Sequence, residues 1–109
     1  MLIPNVNAAS INAAKITDYR LSPDHPVGRS KEAFFRSFGF ARENWEVLRD
    51  ALLEHAATHH HSSEEVTPHG VRYRVDGPLR SPDGRSPRVR SVWMVRAGQD
   101  HPELVTAYP

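Results

Sequence analysis

The alternation of apolar and polar residues is clearest at residues 88–95, and it predicts a β-strand there. In a strand, successive side chains point to opposite faces. One face then carries Val89, Ser91, Trp93 and Val95, and the other carries Arg88, Arg90, Val92 and Met94. Both faces are largely apolar towards the C-terminal end, which is typical of a strand in the middle of a sheet. The arginines mark the end of the strand that reaches a surface.

Further segments with strand periodicity accompany this one. Residues 71–79 alternate, with valine and tyrosine on one side and Arg72, Arg74 and Asp76 on the other. Shorter strands are predicted at residues 64–67 and 103–108, and Ser-Pro-Asp-Gly at residues 81–84 has the composition of a hairpin turn. The pattern therefore predicts a mostly antiparallel meander of about four strands.

Helical periodicity precedes the strands. Residues 30–39 begin at Ser30, a favourable N-cap, and end at Gly39, a favourable C-terminal stop. A second helix is predicted from about residue 42 to residue 57, where Trp45, Leu48 and Leu52 recur at helical spacing. We expect an α+β fold in which two N-terminal helices pack on a mostly antiparallel four-stranded β-meander. Residues 1–109 have the size of a single domain.

The composition of the chain argues against several classes of protein, namely disulfide-bonded, secreted and membrane-spanning ones. The chain has no cysteine, so disulfides, thiolate chemistry and cysteine-based zinc sites are excluded. The first residues do not form a basic segment followed by an apolar run, which is the pattern of a secretory signal. No apolar run approaches the length of a membrane span. We therefore expect a cytoplasmic protein without a membrane partner.

Charge is distributed unevenly, although the net charge is only +1. Residues 69–96 hold seven arginines against two acidic residues, whereas acidic residues dominate residues 43–65. The arginine-rich part is a candidate anion-binding surface. The alternative is an ordinary solvated sheet face, because arginine stems cover apolar surface while their charged ends stay in water.

Several polar residues are candidates for a common site. His25 lies in a loop that Pro23 and Pro26 make rigid. The other candidates follow this loop or lie on the last two predicted strands: Arg29, Lys31, Arg88, Arg90, Thr106 and Tyr108. Metal-free RNA cleavage uses such a set, because a histidine removes the proton of the ribose 2′-hydroxyl and arginines stabilise the charge that develops on the phosphate.

The predicted catalytic residues are His25, Arg90, Thr106 and Tyr108. His25 would be the general base or acid, and Arg90, with Arg88 beside it, would hold the phosphate. Thr106 and Tyr108 would position the substrate. Structural alternatives stay open for each: His25 as a loop histidine bonded to the backbone, and Thr106 and Tyr108 as ordinary strand residues.

Histidines at the end of the second predicted helix raise the question of a metal. His55 and His59 are four residues apart, a spacing that can hold one metal ion. The metalloprotease pattern also needs a glutamate after the first histidine, and Ala56 stands there. Consecutive histidines, as at residues 59–61, are more often solvated. We expect neither a metal nor another cofactor, and keep metal binding by His55 and His59 as a weaker alternative.

Several motifs resemble a family of small uncharacterised bacterial domains. They are His-Pro-Val-Gly at residues 25–28, Phe-Gly-Phe at 38–40, Asp-Gly-Pro at 76–78, Val-Arg-Ser-Val-Trp at 89–93 and Val-Thr-Ala-Tyr-Pro at 105–109. Members of this family occur as lone proteins and, in similar form, as C-terminal domains of large secreted or contact-dependent toxins. The order of helices and strands also resembles the ribonuclease toxin fold shared by barnase, RelE and EndoU-like nucleases.

The resemblance implies a polar and aromatic signature at His25, Lys31, Arg90, Trp93, Thr106 and Tyr108. The predicted substrate-binding residues are Arg29, Lys31, Arg88 and Trp93. The first functional hypothesis is a toxin-like, metal-independent ribonuclease, with RNA as substrate and a cognate inhibitor or antitoxin as partner. The second is a non-catalytic module whose arginine-rich sheet face binds an acidic protein or nucleic acid.

Overall fold

A computed structural model describes residues 1–16 and 29–109, with the side chains of residues 29–32 excepted. Two short 3-10 helices lie at Val6–Ala8 and Arg42–Asn44. The α-helices are α1 (Arg29–Ser37) and α2 (Trp45–Thr58). The strands are β1 (Ser63–Thr67), β2 (Gly70–Pro78), β3 (Arg88–Arg96) and β4 (Glu103–Tyr108).

The strands form an antiparallel sheet in the order β1-β2-β3-β4. Its four strands follow one another along the chain, so the predicted antiparallel meander is confirmed. Strand β3 pairs with both β2 and β4, as expected for a central strand. A register shift in the β3–β4 pairing sets Val92 opposite Thr106 but Trp93 opposite Leu104. The shift keeps both Trp93 and Leu104 buried.

One face of the sheet is covered by the core, and α2 lies against it. Helix α2 buries a stripe of residues spaced three and four apart: Leu48, Ala51, Leu52, His55 and Ala56. From the sheet, Tyr73, Val75, Val89 and Trp93 join the same hydrophobic cluster. We call this side of the sheet the inner face.

The prediction of two N-terminal helices packed on the sheet is wrong. The helix that packs on the sheet is α2, which lies in the middle of the chain and is preceded by a 3-10 turn. Helix α1 is a nine-residue segment that contributes Phe35 to the core. Helical periodicity identified both segments but carries no information on which of them forms a layer over the sheet.

The first residues of the chain, which include the 3-10 helix at Val6–Ala8, pack along the sheet. Ile3 is buried in the core, and Ser10 forms a parallel bridge to Glu103 of β4. The backbone of Ser10 donates to Pro102 and accepts from Leu104, which covers part of the β4 edge. Of the helices within residues 1–16 and 29–109, none combines the length and apolar character that crossing a bilayer requires.

Candidate functional site

The side of the sheet opposite α2 carries most of its charge, and we call it the outer face. Its residues alternate along β2, β3 and β4 with those of the inner face. They are Arg72, Arg74 and Asp76 on β2, Arg88, Arg90, Val92 and Met94 on β3, and Thr106 and Tyr108 on β4. The strand pairing therefore gathers Arg88, Arg90, Thr106 and Tyr108, four of the predicted site residues, on one surface.

Three residues in register form the middle of this surface, and we call them the central row. Arg90 lies opposite Asp76 on one side and opposite Tyr108 on the other. Its Nε donates to Asp76 Oδ1 at 2.7 Å, and its Nη2 donates to Oδ2 at 3.0 Å. Tyr108 flanks Arg90 on the other side and adds to the interactions that favour its charged form, raising the pKa of Arg90. A bidentate pair of this kind fixes the plane of the guanidinium.

Electrostatics keep two members of the central row, Asp76 and Arg90, ionised. The hydrogen bonds from Arg90, assisted by a 2.8 Å bond from the Ser62 hydroxyl, hold the pKa of Asp76 below its usual range. The same carboxylate, with Tyr108, raises the pKa of Arg90. The side chain of Asp76 is 19% exposed and that of Arg90 is 40% exposed, so the arginine is the member that solvent reaches. The row therefore presents a guanidinium of fixed orientation, and the carboxylate of Asp76 neutralises its charge from the β2 side.

The remaining predicted residues have different surroundings. Arg88 is exposed at the start of β3, opposite Pro78. Thr106 belongs to the next row along the sheet, which runs from Arg74 through Val92. Position 25, the predicted general base, lies outside the described residues. Arg29 and Lys31 belong to α1, but their side chains also lie outside the described part of the structure.

Trp93 is placed on the inner face and not among the outer-face residues. It is fully buried, so its ring is not available to stack on a substrate base. Its indole Nε1 donates to the hydroxyl of Ser91 at 2.8 Å. We therefore do not retain Trp93 as a substrate contact.

Ser91 connects Trp93 to a buried histidine. The ring of His55 is 1% exposed, with Nε2 3.0 Å from the carbonyl oxygen of Gly77 and Nδ1 2.9 Å from Ser91 Oγ. A carbonyl only accepts, so Nε2 carries the proton and Nδ1 accepts from the serine hydroxyl. Burial lowers the pKa of His55, which favours this neutral form. Hydrogen bonds therefore link Trp93, Ser91, His55 and the carbonyl of Gly77, and each polar side-chain atom in this series has a partner.

The same geometry argues against a metal at His55 and His59. Both ring nitrogens of His55 are already engaged, and Nδ1 of His59 lies 2.8 Å from the backbone oxygen of His55. Among the residues that the structure describes, no group of three or more histidine and acidic side chains is arranged to hold a metal ion. The ring of His59 instead packs against Gly77, where a Cβ would come within 2.6 Å of it.

Residues 2–109 match the model of a family described as "Domain of unknown function (DUF6883)". The chain belongs to this family. A DUF6883 domain is consistent with the predicted membership in a family of uncharacterised domains, whereas the link to ribonuclease toxins stays a prediction. A comparison with curated proteins gave no significant match.

The fold of this DUF6883 domain is similar to that of a solved structure. That structure is described as "Contact-dependent growth inhibition toxin - immunity protein complex from Klebsiella pneumoniae 342". The TM-score is 0.73, the sequences are 15% identical, and the match covers 96% of each chain. At this identity, the likeness establishes the shared fold and leaves the activity open.

Sequence reasoning missed two parts of the DUF6883 site. The alternation placed Asp76 on the arginine side of β2, but only the strand register reveals that it pairs with Arg90. The role of His55 was also missed, because its spacing from His59 drew attention to metals. A usable signal existed: His55 interrupts the apolar stripe of a helix, and Ser91 interrupts the apolar face of a strand. Two polar residues at buried positions predict a hydrogen bond between them.

Proposed function

We propose that this DUF6883 domain is a toxin-type, metal-independent ribonuclease whose substrate lies on the outer face of the sheet. The central row is the observation that carries this proposal. It offers a guanidinium that Asp76 fixes before any substrate arrives, and a preorganised cation costs little reorganisation when charge develops on a phosphate. Exposed Arg88 supplies a second cation on the same face.

In the proposed reaction, His25 removes the proton of the ribose 2′-hydroxyl. The 2′-oxygen then attacks the adjacent phosphorus, and the bond from phosphorus to the 5′-oxygen breaks. The leaving oxygen takes up a proton from water, and His25 returns its proton to the solvent. The products are a 2′,3′-cyclic phosphate and a free 5′-hydroxyl. Arg90, with Arg88, stabilises the charge on the non-bridging oxygens, and Thr106 and Tyr108 position the substrate. Residues 29 and 31 are proposed to contact the flanking phosphates.

A protein partner follows from the same proposal. A ribonuclease free in the cytoplasm would damage the RNA of its own cell, so an inhibitor is required. The similarity of fold to a chain from a toxin–immunity complex supports this class of partner. We propose that the inhibitor covers the outer face, since occupying this face would block access of RNA to the central row.

A second function is favoured by one feature of the central row. Asp76 already neutralises Arg90 and occupies two of its hydrogen-bond donors. An arginine held in this way can serve only to link β3 to β2. The other arginines would then bind an acidic protein or a nucleic acid. In that case the domain is a non-catalytic interaction module, and the fold similarity applies equally to it.

Expression in bacteria separates these functions. The wild type and His25→Ala are placed under a tightly controlled promoter without any neighbouring gene, and growth and total RNA integrity are compared. The nuclease proposal expects arrested growth and fragmented RNA with the wild type and with Arg80→Gln, and neither effect with His25→Ala. Arg80→Gln is a matched control for loss of charge, because Arg80 is 80% exposed and pairs with Glu54 of α2. Normal growth and intact RNA with the wild type would favour the interaction module.

A further inference from the structure

Two arginines of the outer face converge on one carboxylate beside the central row. Arg72 and Arg74 belong to β2, and both guanidinium groups approach Oε1 of Glu65 on β1. The distances are 3.8 Å from Arg72 Nη1 and 3.9 Å from Arg74 Nη2. Both exceed a normal hydrogen-bond length, so the carboxylate attracts two cations without bonding closely to either.

These two arginines have unused hydrogen-bonding capacity. Within the part of the chain that the structure describes, Nε of Arg72 is buried and has no hydrogen-bond partner. Arg74 makes a 3.3 Å bond from Nη1 to the hydroxyl of Ser63. A single carboxylate faces two guanidinium groups and neutralises only one of their two positive charges. Glu65 is itself 51% exposed on an edge strand, where its side chain can be displaced.

The pair lies in line with the proposed reaction site. Arg74 is two residues from Asp76 and Arg72 is two residues further, all on the outer face of β2. Two residues of a strand span about 6.8 Å. Cationic groups at such a step can track the backbone of a single-stranded nucleic acid.

We propose that Arg72 and Arg74 form a second phosphate subsite, which binds a phosphodiester of single-stranded RNA next to the one held at the central row. Glu65 occupies this subsite in the free protein and is displaced by the phosphate. The subsite rests on the proposed function, because it extends the same RNA-binding face. A phosphodiester fits this geometry, since two non-bridging oxygens allow each guanidinium to form a hydrogen bond of normal length.

The test measures binding of an uncleavable oligonucleotide. A fluorescent 2′-deoxy oligonucleotide of roughly ten nucleotides, within the usual site sizes of single-strand binders, is titrated with the wild type and variants at several salt concentrations. The double variant Arg72→Gln, Arg74→Gln is expected to bind more weakly. Its slope of log affinity against log salt should be smaller by about 0.7, which corresponds to one phosphate contact with a single strand.

Two further variants sharpen the result. Glu65→Gln removes the competing carboxylate and is expected to tighten binding, an outcome that a purely structural role of the arginines does not produce. Arg80→Gln removes one guanidinium charge from a loop paired with α2 and is expected to leave the salt slope unchanged. A labelled dinucleotide has a single phosphodiester and cannot occupy both positions at once, so the double variant should weaken its binding less than it weakens binding of the longer oligonucleotide.

Each adverse outcome has a separate meaning. If oligonucleotide binding depends on Arg90 but the double variant retains wild-type affinity and slope, the subsite is rejected and the proposed function stands. If polyglutamate binding depends on Arg72 and Arg74 while oligonucleotide binding does not, the pair binds an acidic protein and the subsite for RNA is rejected. If no oligonucleotide binds the wild type, the subsite and the nuclease proposal fall together.

Discussion

The two faces of the β2–β3 strand pair differ in chemistry although they are built from neighbouring residues. On the outer face, Asp76 and Arg90 form a charged pair that solvent reaches. One residue further along each strand, Gly77 and Ser91 are held from the inner face by the ring of His55. The inner contact is neutral, buried and fully hydrogen-bonded. The outer contact is ionic and partly exposed.

The two faces therefore have different roles: the inner contact holds the strands together, and the outer contact presents a charge to solvent. His55 bridges β2 and β3 directly behind the place where Asp76 and Arg90 meet, so the position of the outer pair does not depend on its own ion pair alone. Exposed ion pairs stabilise a fold only weakly, whereas loss of a partner for a buried polar group is costly. The inner face should therefore govern stability, and the outer face should govern binding and activity.

The largest expected effect is on the outer face. Arg90→Gln removes the fixed guanidinium, and we expect RNA cleavage to fall by about 100- to 1,000-fold, as when one preorganised donor is lost from an active site. The thermal unfolding midpoint should change little. Cleavage of a labelled RNA and a thermal melt on the same preparation check both parts. Equal cleavage by the variant and the wild type would remove Arg90 from the reaction.

A stability effect of similar free energy is expected on the inner face. His55→Leu leaves the carbonyl of Gly77 and the hydroxyl of Ser91 without their partner, at a cost of about 3 kcal/mol in the free energy of unfolding. His55→Gln is the matched control, because an amide can both donate and accept, and it should lose about 1 kcal/mol. Urea denaturation measures both. Equal losses would show that ring packing, and not hydrogen bonding, is what matters.

The inner face also predicts a dependence on pH. Burial lowers the pKa of His55 in the folded protein below its ordinary value of 6.5, so the unfolded chain takes up a proton first as the pH falls. The stabilisation is complete above 6.5 and declines below it, by at most about 1.4 kcal/mol per pH unit. Denaturation at pH 7 and pH 5 should show a larger loss for the wild type than for His55→Gln. Parallel losses in the two proteins would contradict the assignment to His55.

The smallest expected effect concerns Trp93. Trp93→Phe removes the indole donor to Ser91 and should cost about 1 kcal/mol of stability, the value of one hydrogen bond. Because the ring is buried, RNA binding under native conditions should not change. Stability is read from denaturation and affinity from oligonucleotide titration. A selective loss of affinity, with stability retained, would return Trp93 to the substrate-binding residues.

The sheet was predictable from sequence because period-two alternation determines which residues share a face. Alternation placed Arg88 and Arg90 on one side of β3 and Trp93 on the other, and the structure agrees. The helical layer was not predictable in the same way, because periodicity identifies an apolar stripe but not what it packs against. Pairs such as Asp76 with Arg90 and His55 with Ser91 depend on register between distant segments.

The most direct test of the central claim uses one chimeric oligonucleotide. It carries a single ribonucleotide among 2′-deoxynucleotides and is incubated with the purified protein in the presence of a metal chelator. We predict cleavage on the 3′ side of that ribonucleotide with a 2′,3′-cyclic phosphate product. Cleavage by Arg90→Gln should be slower by about 100- to 1,000-fold, and the all-deoxy strand should not be cleaved. Absence of cleavage by the wild type, cleavage that requires a divalent metal, or cleavage of the all-deoxy strand would contradict the central claim.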